Sequence, residues 1–459
     1  MTVLDNRTYD ELRVGDSASL TRTLALNDIA AFAAVSGDNN PAHLDAEFAA
    51  HDRFGHVIAH GLWSGAMISA VLGTRLPGPG TIYLGQSLAF RAPVSPGDTI
   101  TATVTVTEKR DRGRRVTLAC SCTNQLGVVV LDGTAEVIAP ATKVKDFAVA
   151  LPQVQVQTHQ RHEALIARCA DLPPLKVGVV HPCDAPSLGG ALAGWEAGLI
   201  APTLIGPRAR IEAAAEAAGV SIAGLPLIDV PHSHAAADTA AELAQSGAVE
   251  ALMKGSLHTD ELMAAVIACP ALRTGRRMSH VFVMDAPAYP RLMLITDAAI
   301  NIAPNLDDKR DICQNAIDLA RALGIAVPKV AIVCAVETVS AKMPATLDAA
   351  ALCKMADRGQ IKGGVLDGPL AFDTVVDAEA ARIKGLASPV AGLADILLVP
   401  DLEAGNMLAK QLEKLAGADS AGIVVGARLP IILTSRSDSV KTRLASCAVA
   451  VLAAADRRA

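Results

Sequence analysis

The sequence predicts an α+β domain, one long helix wrapped by an antiparallel sheet, followed by a two-lobed α/β domain with mostly parallel sheets. Three observations carry this. Residues 97–137 alternate apolar and polar with period two, the signature of strands with one buried face. The stretch just before them, HGLWSGAMISAVLGTRL (60–76), is apolar with helical spacing, and Pro77 closes it. Beyond Leu175, short runs that are apolar throughout, such as KVGVVH, LMLIT, KVAIVCAV and DILLVP, are separated by Ala-rich helical stretches. That grammar belongs to a sheet covered on both faces.

In the first domain, Ile100, Ala102, Val104 and Val106 share one face, as do Val116, Leu118, Cys120 and Cys122. The polar stretches EKRDRGRR and TNQLG fall between runs and mark turns. Leu62, Met67, Ala70 and Val71 form the predicted buried stripe of the long helix. The segment APATKVKDFAVALPQVQVQTHQ reads as a linker, so the expected boundaries are 1–140, a linker over 141–160, and 161–459.

Composition narrows the function. A net charge of -6 gives no footprint for nucleic acid or an anionic membrane. Nine cysteines without metal-type spacing read as reduced core thiols, and no metal is expected. The opening MTVLDNRTYDELRVG has no secretory apolar region, and no run approaches the ~20 residues of a membrane span; a cytoplasmic protein is expected.

Chemistry concentrates in SGDNNPAHLDAEFAAHDRFGHVIAHG (36–61). Pro41 biases Asn40 towards extended geometry, so the segment reads as a shaped loop able to aim Asp38 and His43 into one pocket. Adding water across a double bond conjugated to a thioester needs a base, an acid and donors for the enolate-like oxygen. Asp38 and His43 can supply the first two. The Gly61 N–H, at the start of the long helix, can supply the third. The plain alternative is a turn-capping Asp38, a partly buried His43, and Asp45 capping the AEFAA helix.

The string SGDxNPxH, then HG before the helix, then GTIYLGQSLAFRAPVSPGD, resembles the MaoC-like (R)-specific enoyl-CoA hydratases over about residues 10–138. The resemblance implies a hot-dog fold, Asp38 and His43 as the catalytic pair, Gly61 as oxyanion donor and Ser69 as a pocket hydroxyl. It also implies a homo-oligomer, dimer or higher, with sites against a dimer interface. Trp63 and Leu72 are candidates for closing the acyl tunnel.

In the second domain, a strand runs into Ser435 and Arg436, and a helix is expected from about Ser437 or Asp438. Such a helix start with an arginine fork makes a phosphate site, the plain alternative being a capped helix with a surface ion pair. DAAINIAPNLDDKRDICQNAIDLARALGI, PKVAIVCAVE, VLDGPLAFD, LLVPDLEAGNMLAKQL and SRSDS, in that order, resemble phosphate acetyl- and butyryltransferases over about 160–459. The butyryl branch fits better at SRSDS and TGRRMSHVFVM. The resemblance implies that Ser435 and Arg436 bind phosphate, with Asn301, Glu337 and Asn406 near the phosphate and CoA pocket. Two positions depart from the acetyl branch: Thr442 stands where an acid is proposed to act on the CoA thiol, and Met263 where an arginine binds phosphate. Asp438, Lys254, Arg273 and Arg276 are candidates to compensate.

The sequence therefore leads to a two-part enzyme of acyl-CoA thioesters and inorganic phosphate, with no permanently bound cofactor. One alternative makes the C-terminal domain a non-catalytic CoA-binding and oligomerisation platform. Another, a dehydrogenase, is opposed by the loop PCDAPSLGG after KVGVVH, which lacks a GxGxxG.

Overall fold

The computed structural model describes residues 2–150, 160–434 and 438–458, which form two compact units, Met1–Val156 and Gln157–Ala459. In the first, the alternating sequence becomes strands β2 (Ser17–Thr23), β3 (Ile82–Phe90), β4 (Thr99–Arg110), β5 (Arg115–Thr123) and β6 (Val129–Ile138), after a short β1 (Thr2–Leu4). They form one antiparallel sheet in the order β2-β4-β5-β6-β3. Alternate residues of β4 and β5 are buried, among them Ile100, Val104, Leu118 and Cys122, as period two requires.

Among the described residues three α-helices precede the long one: α1 (Leu26–Ser36), α2 (Pro41–Leu44) and α3 (Ala46–His51). The long helix, α4 (Gly61–Thr74), lays Trp63, Met67, Ile68, Val71 and Leu72 against the buried face of the sheet. Burial of each large aliphatic side chain contributes about 1.5–3 kcal/mol. The stripe follows 63-67-71 and 64-68-72, so Leu62, one position off, projects outward at 59% exposure, contrary to its expected place in the core. Trp63 and Leu72 are absorbed in the core. The stretch expected as a linker contributes β7 (Phe147–Val149), which pairs antiparallel with β1.

In the second unit the apolar runs become β8 (Leu175–Val180), β9 (Ile200–Gly206), β10 (Leu227–Asp229), β11 (Ala251–Lys254), β12 (Ser279–Asp285), β13 (Met293–Thr296), β14 (Lys329–Val333), β15 (Val365–Leu370), β16 (Ile396–Leu398), β17 (Asp419–Val425) and β18 (Ile431–Ile432). They join in a single sheet, β10-β9-β8-β11-β18-β17-β12-β13-β16-β14-β15, parallel except where β12 and β17 run against their neighbours. β12–β16 lie in sequence between β11 and β18, yet β18 returns to pair with β11. One lobe is thus inserted into the other. One core cluster runs through both lobes, from Val177 and Leu204 to Val330 and Ile396, and includes the apolar side of helix Val440–Arg458. Two separate clusters, one around Leu252 and Val424 and one around Ile295 and Leu397, complete the two lobes.

His280 sits wholly inside this unit on β12, with its ring edge-on to Phe282. Burial pushes the imidazole down to about 4 from an ordinary 6.5. Below about pH 6.5 the unfolded chain takes up a proton that the folded chain refuses, so this stability is present above that pH and lost as pH falls towards 4. A His280→Leu variant should therefore show a flatter loss of denaturation midpoint between pH 6.5 and 4. Identical slopes for the two proteins would contradict this.

Candidate active sites

The motif 36–61 folds as a succession of short caps. Helix α1 ends on Gly37 in the left-handed region (φ 75°), which turns the chain so that Asp38 follows in an exposed loop. The Asn40 side chain accepts from Ala42 N–H at 3.1 Å, and Pro41 occupies the first position of α2. The segment expected as a loop is thus one helical turn carrying His43, because proline at that position is pre-set for helix and gives up no needed donor. Asp45 caps α3, accepting from Glu47 and Phe48 N–H at 2.9 and 3.0 Å.

Asp38 and His43 meet. His43 Nδ1 donates to the Ile58 carbonyl at 2.9 Å, which leaves Nε2 as its free nitrogen. His60, 3% exposed, donates from Nε2 to the Asp38 carbonyl at 3.0 Å and places its ring 4.0 Å from that of His43. One nitrogen or carboxylate oxygen from each of Asp38, His43 and His60 lies within 4.8 Å of the others. Beside them opens a cavity of about 350 Å³ lined by His43, His60, Gly61, Ser64, Phe90 and Arg91 among others.

Gly61 is the first residue of α4, so its N–H stands at the helix start. A Cβ there would come within 2.9 Å of the Phe90 ring, which itself lines the cavity. Gly61→Ala should therefore leave the melting temperature near wild type, since the ring is half exposed and can swing. The hydration that the sequence leads us to expect of this site should fall by up to about 100-fold as the cavity wall shifts. Steady-state rates and a thermal melt on the same preparation separate the two effects.

Ser69 is not brought to this cavity: it is exposed on the face of α4 away from the core, five residues and a half-turn's rotation past Ser64, which does line it. Sequence reasoning missed His60 and Ser64. The HG pair carried the signal for His60, but only its glycine received a role.

In the C-terminal unit, Ser435 and Arg436 lie outside the described residues; the helix that follows begins at Val440, later than expected. Asn301 is buried at the carboxyl end of β13 and is held on all sides. The Asp297 carboxylate accepts from the N–H groups of Ala299, Ile300 and Asn301 and from Asn301 Nδ2, the last at 2.5 Å. Arg277 Nε donates to Asn301 Oδ1 at 2.7 Å. Asn406 reaches the same loop, donating to the Ala298 carbonyl at 3.1 Å.

A cavity of about 860 Å³ adjoins this loop, lined by Met263, Arg273, Arg276, Arg277, Asn301 and Asp308 among others. Arg273 and Arg276 thus share a wall with Met263, although Arg276 also pairs with Asp318 at 2.6 Å. Lys254 is buried at the end of β11, and Asp438 lies 4.0 Å from Lys410. Thr442 is buried, its hydroxyl 3.1 Å from that of Ser439. Glu337 stands apart: its carboxylate pairs with Lys384 at 2.7 Å, and it lines neither cavity.

The family model described as Phosphate acetyl/butaryl transferase matches residues 232–451, and that described as MaoC like domain matches 13–124. A phosphate acetyltransferase of Rhizobium meliloti is 61% identical over 300 residues, covering 65% of this chain and 95% of the relative. A phosphate butyryltransferase of Clostridium acetobutylicum is 41% identical over 283 residues, 61% of this chain and 94% of the relative. Overall identity thus ranks an acetyl-named relative above a butyryl-named one. Among solved structures, a branched-chain phosphotransacylase from Enterococcus faecalis superposes with a TM-score of 0.54 at 27% identity, covering 61% of this chain and 99% of its own.

Proposed function

Because the chain belongs to the phosphate acetyl/butyryl transferase family and carries a MaoC-like domain ahead of that region, we propose that it is a two-activity enzyme of acyl-CoA thioesters. The N-terminal unit adds water reversibly to a trans-2-enoyl-CoA to give the (R)-3-hydroxyacyl-CoA. The C-terminal unit exchanges CoA for phosphate on an acyl-CoA, releasing an acyl phosphate. The observation that carries the first activity is the convergence of Asp38 and His43 beside a cavity walled by Gly61.

The chemistry follows from the free atoms. Water gives a proton to His43 Nε2, with the Asp38 carboxylate orienting it, and its oxygen bonds to C3. The C2–C3 π pair becomes a C1–C2 double bond and the carbonyl π pair moves onto the thioester oxygen, where the Gly61 N–H at the helix start stabilises the charge. The proton then returns to C2 as the carbonyl re-forms. In the second unit, Ser435 and Arg436 hold phosphate for attack on the thioester carbonyl, while Asn301 faces the larger cavity among arginines. Covalent fusion raises the local concentration of one activity near the other for substrates sharing the CoA handle.

A homo-oligomer fits the first unit. Among the described residues, strand β3 pairs only with β6 and leaves Ile82, Tyr83, Leu84 and Phe90 at 41–56% exposure, an apolar edge of the kind a second copy covers. Among the described residues, no helix is long and apolar enough to cross a membrane.

The test is hydration of crotonyl-CoA, followed at the enoyl-thioester absorbance, with and without phosphate and with free thiol measured in parallel. Loss of the double bond without phosphate, and phosphate-dependent thiol release from acetyl- or butyryl-CoA that Arg436→Ala abolishes, are the expected results. Hydration with no phosphate-dependent thiol would leave the C-terminal unit as a CoA-binding platform, the outcome that the uncharged Met263 and Thr442 favour.

A further inference from the structure

We propose that Asp38, His43 and His60 form a reversible site for a divalent transition-metal ion of the zinc type, and that an ion bound there blocks hydration. The blocking step rests on the hydratase reading above; the binding itself does not.

Both imidazoles are prepared as ligands from behind. A carbonyl oxygen only accepts, so the bond to Ile58 O puts a proton on His43 Nδ1, and the bond to Asp38 O puts one on His60 Nε2. Each ring therefore offers its other nitrogen as a lone pair. Back-side donation to a carbonyl is also the arrangement that fixes the tautomer and orientation of metal-bound histidines. His60 supplies the independent observation. It is 3% exposed, and its Nδ1 has no hydrogen-bond partner among the described residues. A buried acceptor left without a donor is an uncommon feature that a cation satisfies.

Geometry and charge agree. One ring nitrogen of each histidine and one Asp38 carboxylate oxygen lie within 4.8 Å of one another. Tetrahedral bonds of about 2.0–2.1 Å set ligand atoms roughly 3.4 Å apart, a contraction within reach because Asp38 is exposed and its side chain can turn inward. Two imidazoles and one carboxylate favour zinc, copper or cobalt over magnesium, which prefers all-oxygen shells. Both histidines line the 350 Å³ cavity, which gives an ion and water a way in. The His43 Nε2 lone pair that accepts the proton from water would be committed to the ion, so hydration stops when it binds.

The experiment titrates the full-length protein with Zn²⁺ by calorimetry and with Co²⁺ by visible absorption, for wild type, Asp38→Ala, His43→Ala and His60→Asn. Asp38→Ala removes an exposed side chain and keeps the fold, so it is decisive if His60→Asn disturbs the buried ring pair. Other groups, such as His234 beside Glu261 at 3.4 Å, can also take metal, so the reading is a difference. Wild type should bind one equivalent at least tenfold more tightly than Asp38→Ala, with tetrahedral cobalt bands that the variants lose. Crotonyl-CoA hydration should fall with Zn²⁺, recover with EDTA and ignore Mg²⁺. Superimposable titrations of wild type and Asp38→Ala would overturn the site. Tight zinc binding at these residues in a protein that hydrates no enoyl-CoA would support the site and overturn the hydratase reading instead.

Discussion

Asp38→Asn and His43→Ala are each expected to lower hydration of crotonyl-CoA by about 100- to 10,000-fold, the usual share of a positioned acid or base. Phosphate-dependent thiol release by the same proteins should stay at the wild-type level. The asparagine keeps an oxygen for the Asn40 N–H that Asp38 now accepts at 3.2 Å, so the loop is held while the charge is lost. His43→Ala removes the ring that Ile58 O fixes and leaves the helical turn, whose cap is Asn40. Neither change touches the core, so unaltered melting curves accompany the loss. A double variant should be little worse than either single one, because two groups that handle one proton act as a unit. Wild-type hydration rates in either variant would remove the assignment.

The second large effect is expected at Asp297. This carboxylate, 2% exposed, gathers three backbone N–H groups and the Asn301 amide, and so shapes the loop that faces the larger cavity. Asp297→Ala strands buried donors that each cost about 1–3 kcal/mol when unsatisfied. The C-terminal unit should lose about 3 kcal/mol or more of stability. Asn301 would lose its anchor as well as its place, and phosphate-dependent thiol release should drop by about 100-fold, the scale of a displacement near 1 Å. Asp297→Asn separates the two consequences: one oxygen still accepts from the backbone, while the new amide N–H faces the Asn301 Nδ2 donor. Its stability should lie between wild type and Asp297→Ala. Denaturant melts and thiol-release rates on the three proteins check this, and equal rates would detach Asn301 from the transferase site.

Local features of the sequence determined much of the outcome. Period-two burial in β4 and β5, the long helix of the first unit and the all-apolar runs of the second follow from where side chains must point, a property of each segment alone. The pairing of Asp38 with His43 was legible for the same reason, since only a few residues and a proline lie between them. Tertiary structure decided what depends on distant segments. His60 reaches back 22 residues to the Asp38 carbonyl, and Ser64 rather than Ser69 faces the cavity, because the packing of α4 on the sheet sets its rotation. Glu337 fell to an ion pair with Lys384, 47 residues on, and β7 formed from an apparent linker by finding β1 at the other end of the unit. Such partners are chosen by the folded sheet and its core; no periodicity within a segment encodes them.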